Sequence, residues 1–212
     1  MKYLLLLTTF IFAQPDIEWS QTFGGQDGEI GYSVDQTFDG GYIIAGYTES
    51  FTEFAGCDVW LIKTDSDGIE EWNETFGGEG MQRGYSVEQT LDGGYIITGY
   101  ASGGYGPTPD LFLIKTDANG QEEWSETFGS GYGYSVQQTT DGGYIITGWT
   151  VSSGEDVDVW LIKTDTNGQE EWNQTFGGDN HDYAYSLDQT SDGGYIITGA
   201  IGSDSPGNSL SI

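Results

Sequence analysis

The sequence is short of the residues on which disulfide, zinc and nucleic-acid chemistry depend. Its 212 residues include one cysteine, one histidine, four prolines and five basic residues against 34 acidic ones, which gives a formal net charge of -29. The lone Cys57 has no partner for an intrachain disulfide, and one cysteine with one histidine excludes a structural zinc site. A surface this acidic repels nucleic acid, so we expect no nucleic-acid partner.

Long apolar runs are absent beyond the N-terminus. Residues 1–13, MKYLLLLTTFIFA, begin with Lys2, continue with an apolar stretch and end in the small residue Ala13. This pattern is typical of a secretory signal peptide, and the stretch is too short to span a membrane. We therefore expect a secreted protein, extracellular or at the cell surface, without membrane insertion.

Glycine and aromatic residues are abundant, and one eight-residue segment occurs four times. There are 35 glycines, and aromatic residues make up 15% of the chain. The segment reads DGGYIIAG at its first occurrence and DGGYIITG at the other three, at residues 39–46, 92–99, 141–148 and 192–199. We assign residues 14–212 to one repeat domain, with an N-terminal strand at 16–23 and units at about 22–74, 75–126, 127–174 and 175–212.

Each full unit contains four strand-like pieces separated by turn residues. In the first unit they are GYSVDQT, GYIIAGYT, DVWLIKTD and EEWNETF, at residues 31–37, 41–48, 58–65 and 70–76. The pieces are β-branched and aromatic, and Asp-Gly or Asn-Gly turns join them in pairs. A four-stranded meander repeated at this period predicts an all-β fold, a β-propeller of four blades. A β-sandwich is the open alternative, although it does not require four near-identical units.

The repeat also resembles a known class of sequence. The segments YIIAGYT, DVWLIKTDxxGxxEW and TFGG resemble the seven-bladed-propeller-type repeats of secreted bacterial and archaeal β-propeller proteins. The DxxG…W part is more weakly similar to the tryptophan-docking motif of quinoproteins and to the Asp-box turn of sialidases. The resemblance implies a propeller in which this motif fastens a hairpin or two neighbouring blades, and it implies little about function.

The two chain ends suggest how such a ring closes. The segment IEWSQTF near the N-terminus is a fourth piece without a first three, and the final unit ends in NSLSI without a fourth piece. We expect strand 16–23 to pair with the C-terminal blade and close the ring. Two alternatives stay open: the chain is a fragment of a longer array, or two chains pool their blades, so that the protein is a monomer or a blade-pooling dimer.

The loops that vary between units are the candidate binding site. The hairpins barely change from unit to unit, whereas the other links differ in length and content, and variable loops on a rigid scaffold commonly carry binding residues. Aromatic faces beside carboxylates suit a glycan or a cationic group, and the partner would be a glycan or a cell-surface protein. The candidate ligand-binding residues are Phe51, Phe54, Tyr105, Tyr132, His181 and Tyr183.

Two repeated features inside the units are predicted to be structural. Tyr32, Ser33 and Gln36 recur in every first piece, and we expect hydrogen bonds from them to staple neighbouring units. Lys63 recurs as Lys115 and Lys163, and we expect each to form an ion pair with an acid of a neighbouring unit.

The chemistry of the sequence favours a non-catalytic protein. No catalytic residues are assigned, and no cofactor is expected, although calcium is possible at Asp65 and Asp67 because hard cations prefer several oxygen ligands. We expect a secreted binding or adhesion module, or a structural module of a surface. The alternatives are a carbohydrate-active hydrolase using surface carboxylates, which needs only a carboxylate pair, or a fragment of a longer surface repeat protein.

Overall fold

A computed structural model describes residues 19–103, 108–151, 156–202 and 209–211, the last through their backbone alone. The predicted signal peptide lies outside these residues. Within them no helix is long and apolar enough to cross a membrane. The elements are β-strands: β1 (Glu29–Gln36), β2 (Tyr42–Thr48), β3 (Gly56–Thr64), β4 (Glu70–Phe76), β5 (Gly80–Gln89), β6 (Tyr95–Ser102), β7 (Asp110–Thr116), β8 (Glu122–Gln138), β9 (Tyr144–Val151), β10 (Val157–Thr164), β11 (Glu170–Phe176), β12 (Asp182–Gln189), β13 (Tyr195–Ile201) and β14 (Ser209–Ser211).

The strands follow the predicted pieces, and the turns have the predicted chemistry. In the first hairpin the N–H of Thr37 donates to the carbonyl of Gly41, and Gly40 has φ of 87°. In the second, Asp65 Oδ1 accepts hydrogen bonds from the N–H groups of Asp67 and Ile69, both at 2.9 Å. Local turn residues therefore fix the antiparallel pairing within each meander.

The strands join into larger sheets than four separate blades. Strands β1 to β11 form one mixed 11-stranded sheet, and β12, β13 and β14 form a second sheet of three strands. The large sheet is continuous because β3 pairs in parallel with β5 at Gly56–Gly80 and Cys57–Met81, and because β8 pairs with β7 and then with β9. The prediction of a four-bladed β-propeller is therefore wrong.

The predicted ring closure is also absent from the described chain. Residues 19–23 form no strand, the rest of the predicted strand 16–23 lies outside the described residues, and β14 pairs with β13 alone. The 11-stranded sheet does not close on itself. Closure requires the rotations between successive meanders to add up to a full turn, and near-identical letters in each meander do not specify that sum.

Four units pack against one another in the order in which they occur along the chain. Unit 1 is β1–β4, unit 2 is β5–β7 with residues 122–130, unit 3 is residues 131–138 with β9–β11, and unit 4 is β12–β14. Each contact between consecutive units is called a seam here. One buried apolar cluster fills each seam; at the first, Ile43 and Val59 of unit 1 pack with Val87 and Ile97 of unit 2.

Three tryptophans pack on a hairpin glycine of the unit that follows them in the chain. Trp72 lies against Gly120, which has φ of 80°, and its ring centroid is 5.7 Å from that of Tyr95. Trp19 and Trp124 pack in the same way on Gly68 and Gly168. The DxxG…W segment therefore joins neighbouring units.

The repeated lysines are buried inside their own units. Lys63 Nζ lies 2.9 Å from Asp39 of the DGG turn and 2.7 Å from Glu71 of β4, and it also donates to the carbonyl of Thr64. The equivalent pairs in units 2 and 3 are Lys115 with Asp92 and Glu123, and Lys163 with Asp141 and Glu171. The predicted ion pairs form, but within each unit rather than between units.

Candidate functional site

A recess lies at one end of unit 1, between the loop after β2 and the link after β4. Its volume is about 180 Å³. The loop contributes Phe51, Glu53 and Phe54, and the hydroxyl of Thr52 donates to the carbonyl of Phe54 at 2.8 Å. Phe51 is held by the Trp60 ring at a centroid distance of 5.5 Å. Two aromatic residues predicted to bind ligand, Phe51 and Phe54, thus line the same recess.

Asp58, near the start of β3, is the carboxylate wall of this recess. It is only 7% exposed, and its Oδ1 atom has no hydrogen-bond partner among the described residues. Burial raises the pKa of the Asp58 carboxyl above its ordinary value of 3.8, and the N–H of Gly78 opposes the rise while Glu53 adds to it. A buried acceptor without a partner is costly, so Asp58 is a candidate to bind a cation or a hydrogen-bond donor.

The glycine link explains how a loop can approach Asp58 so closely. A Cβ atom at Gly77 would overlap the Asp58 carboxylate. Gly177 has the same relation to Asp158 in unit 3, and Asp158 Oδ1 is also buried without a partner. The corresponding loop of unit 3, TVSSGEDV, carries no aromatic residue. Only the first of these two carboxylates therefore has aromatic neighbours from the loop.

Four tyrosines, one from the first strand of each unit, form a row. Every member is the extra residue of a β-bulge. In β1, for example, the strand register shifts between Gly31 and Ser33, so Tyr32 is the extra residue. Bulges change the direction of a side chain, and neighbouring rings meet at 4.8, 5.2 and 5.7 Å along the row. The row consists of Tyr32, Tyr85, Tyr134 and Tyr185.

The final glycine of each DGGYIIAG or DGGYIITG segment lies opposite a bulge. A Cβ atom there would overlap the carbonyl oxygen of the residue two before the bulged tyrosine, so only glycine allows the strands to approach. The pairs are Gly46 with Ile30, Gly99 with Arg83, Gly148 with Tyr132 and Gly199 with Tyr183.

Tyr132 and Tyr183, two predicted ligand-binding residues, contribute to the seams. The Tyr132 ring is 4.2 Å from Tyr100 of the preceding unit and 4.4 Å from Trp149 of its own unit. Tyr183 meets Trp149 edge-on at 6.3 Å. At the equivalent place of the first seam, the Arg83 guanidinium lies 4.3 Å above the Tyr47 ring. Both tyrosines are half-buried, and the first seam has a cation–π contact in their place.

The other predicted binding residues lie apart from the recess. His181 is exposed, and its Nδ1 accepts a hydrogen bond from the N–H of Val157 at 3.1 Å. Tyr105 lies outside the described residues. The recess therefore brings together Phe51 and Phe54 but not Tyr132, His181 or Tyr183.

The carboxylates of the first strands already accept hydrogen bonds across the seams. Asp35 accepts from the N–H of Gln89 at 3.3 Å, and Glu88 accepts from that of Gln138 at 2.8 Å. The neutral amide of Gln137 accepts from Gln189 at the third seam. An uncharged group makes the same hydrogen bond at the third seam, so these positions supply hydrogen-bond acceptors between units.

The calcium candidates Asp65 and Asp67 belong to a hairpin. Asp117 and Asp165 make the same two backbone hydrogen bonds as Asp65, so turn chemistry explains why the aspartate is repeated. Among the described residues, no three His, Cys, Asp or Glu side chains are grouped so as to hold a metal ion.

Asp58 is the residue that sequence reasoning missed, because an aspartate stands at the same position in the third strands of units 1, 2 and 3 and indicates a scaffold position. Its signal is the combination of that aspartate with a following Gly-Gly link and a preceding loop rich in Phe and Glu. The site must be interpreted from this geometry. A comparison with models of protein families found no match to this chain, and a search among curated proteins found none either.

Proposed function

We propose that this protein is a secreted, non-catalytic binding module that holds a cationic group of a partner in the recess of unit 1. The observation that carries the proposal is Asp58: a buried carboxylate with an unpartnered oxygen, beside the exposed rings of Phe51 and Phe54. Carboxylates supply charge to a cation, and aromatic faces attract it further.

The size and charge of the recess favour an alkylammonium or guanidinium group over a sugar chain. Its volume of about 180 Å³ is below the range of roughly 300–1,000 Å³ typical of small-molecule pockets. The formal net charge of -29 attracts basic partners over a distance set by ionic strength. A lysine or arginine side chain of a basic cell-surface protein matches both properties.

Binding is tested by calorimetry with a short lysine- and arginine-containing peptide, with tetramethylammonium and with a neutral oligosaccharide. We expect the peptide and the ammonium ion to bind, and Asp58→Asn to weaken binding roughly tenfold or more, as loss of a charge-assisted contact does. Asp158→Asn, which removes the equivalent carboxylate beside a loop without aromatic residues, is the matched control and leaves binding unchanged.

The pH dependence has a defined sign. Because the cation binds the ionised carboxylate, affinity should fall as the pH drops through the raised pKa of Asp58. Oligosaccharide binding that is indifferent to Asp58→Asn would replace the cation with a glycan ligand. Release of shorter sugars would instead support the hydrolase alternative.

A further inference from the structure

The two ends of the series of units present the unmatched halves of a seam. On unit 1, the side chains of β1 equivalent to those that pack on a preceding unit are exposed, and the surface that they form is called the upstream face. Val34 is 65% exposed, whereas its equivalents Val87, Val136 and Leu187 are 5%, 3% and 5% exposed. Ile30 and Tyr32 on the same face are also exposed.

Unit 4 presents the opposite half, which is called the downstream face. Ile196 of β13 is 44% exposed, although its equivalents Ile43, Ile96 and Ile145 are completely buried by the unit that follows each of them. Tyr185, the last member of the tyrosine row, is also exposed. Each face is therefore built like a surface that the same chain covers three times.

The polar groups on the two faces also correspond. At every seam a serine hydroxyl of one unit accepts from a backbone N–H of the next: Ser33 from Val87, Ser86 from Val136 and Ser135 from Leu187. The remaining serine of this series is Ser186 on the downstream face, and the remaining N–H is that of Val34 on the upstream face. Asp188 and the N–H of Gln36 stand in the same relation as Asp35 and Gln89.

Residues 19–23 lie at the upstream face and make a contact there that is also found at the seams. Trp19 packs on Gly68 and Tyr42 as Trp72 packs on Gly120 and Tyr95, so the tryptophan that a preceding unit would supply is already in place. Beside it a groove of about 130 Å³ is lined by Phe23, Ile30, Ile44, Trp60 and Ile62, among others. Unit 4 is complementary, since β14 has a strand partner, β13, on one edge only within the described chain.

We propose that a second copy of this chain docks its downstream face on the upstream face of the first, forming a fourth seam between molecules. Val34 then packs against Ile196, Tyr32 against Tyr185, and Ser186 and Asp188 accept from the N–H groups of Val34 and Gln36. Because the two faces differ, the contact is heterologous and either closes into a ring of copies or continues as a filament.

The charge of the chain sets the conditions under which copies associate. Two molecules with a formal net charge of -29 repel each other, and salt screens that repulsion. The contact between the faces is apolar and hydrogen-bonded, so salt leaves it intact. We therefore expect association to strengthen as the ionic strength rises.

Sedimentation and light scattering of the 212-residue chain, over a range of concentration and salt, measure this association. Val34→Glu and Ile196→Glu each place a charge in one half of the contact and should weaken it roughly 30-fold or more, as loss of a central contact residue does. Leu91→Glu is the control, since Leu91 is 80% exposed on a hairpin away from both faces. All three positions are exposed in the single chain, and circular dichroism checks that each variant folds.

Mixing the two interface variants separates this contact from a symmetric one. The Val34→Glu chain keeps its downstream face and the Ile196→Glu chain keeps its upstream face, so an equimolar mixture should form dimers and nothing larger. A wild-type chain that stays monomeric at every concentration and salt would overturn the proposal. Assembly that neither variant weakens would also overturn the proposal, and this includes assembly with the repeat units of another protein.

Discussion

Units 2 and 4 have nearly the same sequence in their first two strands, yet they differ in burial. Ile96 in unit 2 is fully buried, whereas Ile196, the same letter in unit 4, is 44% exposed. The difference arises because unit 2 has a neighbour on both sides and unit 4 has one on a single side. A unit of this protein therefore does not contain its own core; the core is formed at the seams, as in repeat proteins whose stability is a sum of neighbour contacts.

The largest expected effect comes from truncating the same isoleucine in the two units. Ile96→Ala should lower the free energy of unfolding by about 2–5 kcal/mol, the usual loss for a buried isoleucine. Ile196→Ala should lower it by about 0.5 kcal/mol or less, as an exposed substitution does. Urea unfolding at concentrations where the chain is monomeric measures both. Equal losses would show that each unit has an independent core.

The second prediction compares two hairpin glycines of unit 2, one at a seam and one in open space. Gly120 has φ of 80° and carries the Trp72 ring, whereas Gly93 has φ of 89° and a Cβ there would meet nothing within 4 Å. Gly93→Ala should cost about 1–2 kcal/mol for the left-handed backbone alone. Gly120→Ala should cost about 1–3 kcal/mol more because Trp72 must move. Thermal unfolding followed by tryptophan fluorescence compares the two variants. Equal losses of stability would contradict the packing of Trp72 on Gly120.

The smallest expected effect concerns acid stability. The Thr139 hydroxyl, followed by the Gly143 N–H and Lys163, lowers the pKa of Asp141 to about 2 from its ordinary 3.8, against the opposing effect of burial. A lowered pKa stabilises the folded state above about pH 4, and that stability is lost as the pH falls towards 2.

Asp141 and its unit 4 equivalent test this point together. Because Asp141 is largely exposed, Asp141→Asn should remove about 1 kcal/mol or less at pH 7 and flatten the acid limb of the stability curve. Asp192 lacks a lysine partner among the described residues, so Asp192→Asn should change the curve less. A larger change for Asp192→Asn would contradict the role of the buried lysine.

Local structure was predictable from the sequence because its causes are local. Turn glycines and aspartates set the hairpins, and β4 begins and ends at Glu70 and Phe76 as predicted. The path between units was not predictable in the same way. The parallel contact at Gly56 and Gly80, and the unbroken β8, depend on the links between units, which differ in every copy.

The candidate site was predictable only in part for a related reason. Phe51 and Phe54 stand out because they lie in a loop whose sequence differs between units. Asp58 does not stand out, because Asp110 and Asp158 occupy the same position in units 2 and 3. Its unpartnered oxygen results from the loops folded over it, and burial of that kind is a property of three-dimensional packing rather than of spacing. The partner of each buried lysine was mispredicted similarly, since sequence distance does not show which neighbouring acid a hairpin brings close.

Strand β8 makes the backbone connection between units 2 and 3 different from the other two connections between units. Its 17 residues run from unit 2 into unit 3 without a loop, whereas loop residues separate β4 from β5 and β11 from β12. A pulling force that passes from unit 2 to unit 3 would run along one continuous strand, whereas from unit 1 to unit 2 and from unit 3 to unit 4 it would cross a short link of loop residues. The backbone connection between units 2 and 3 is therefore the one without a loop that could extend.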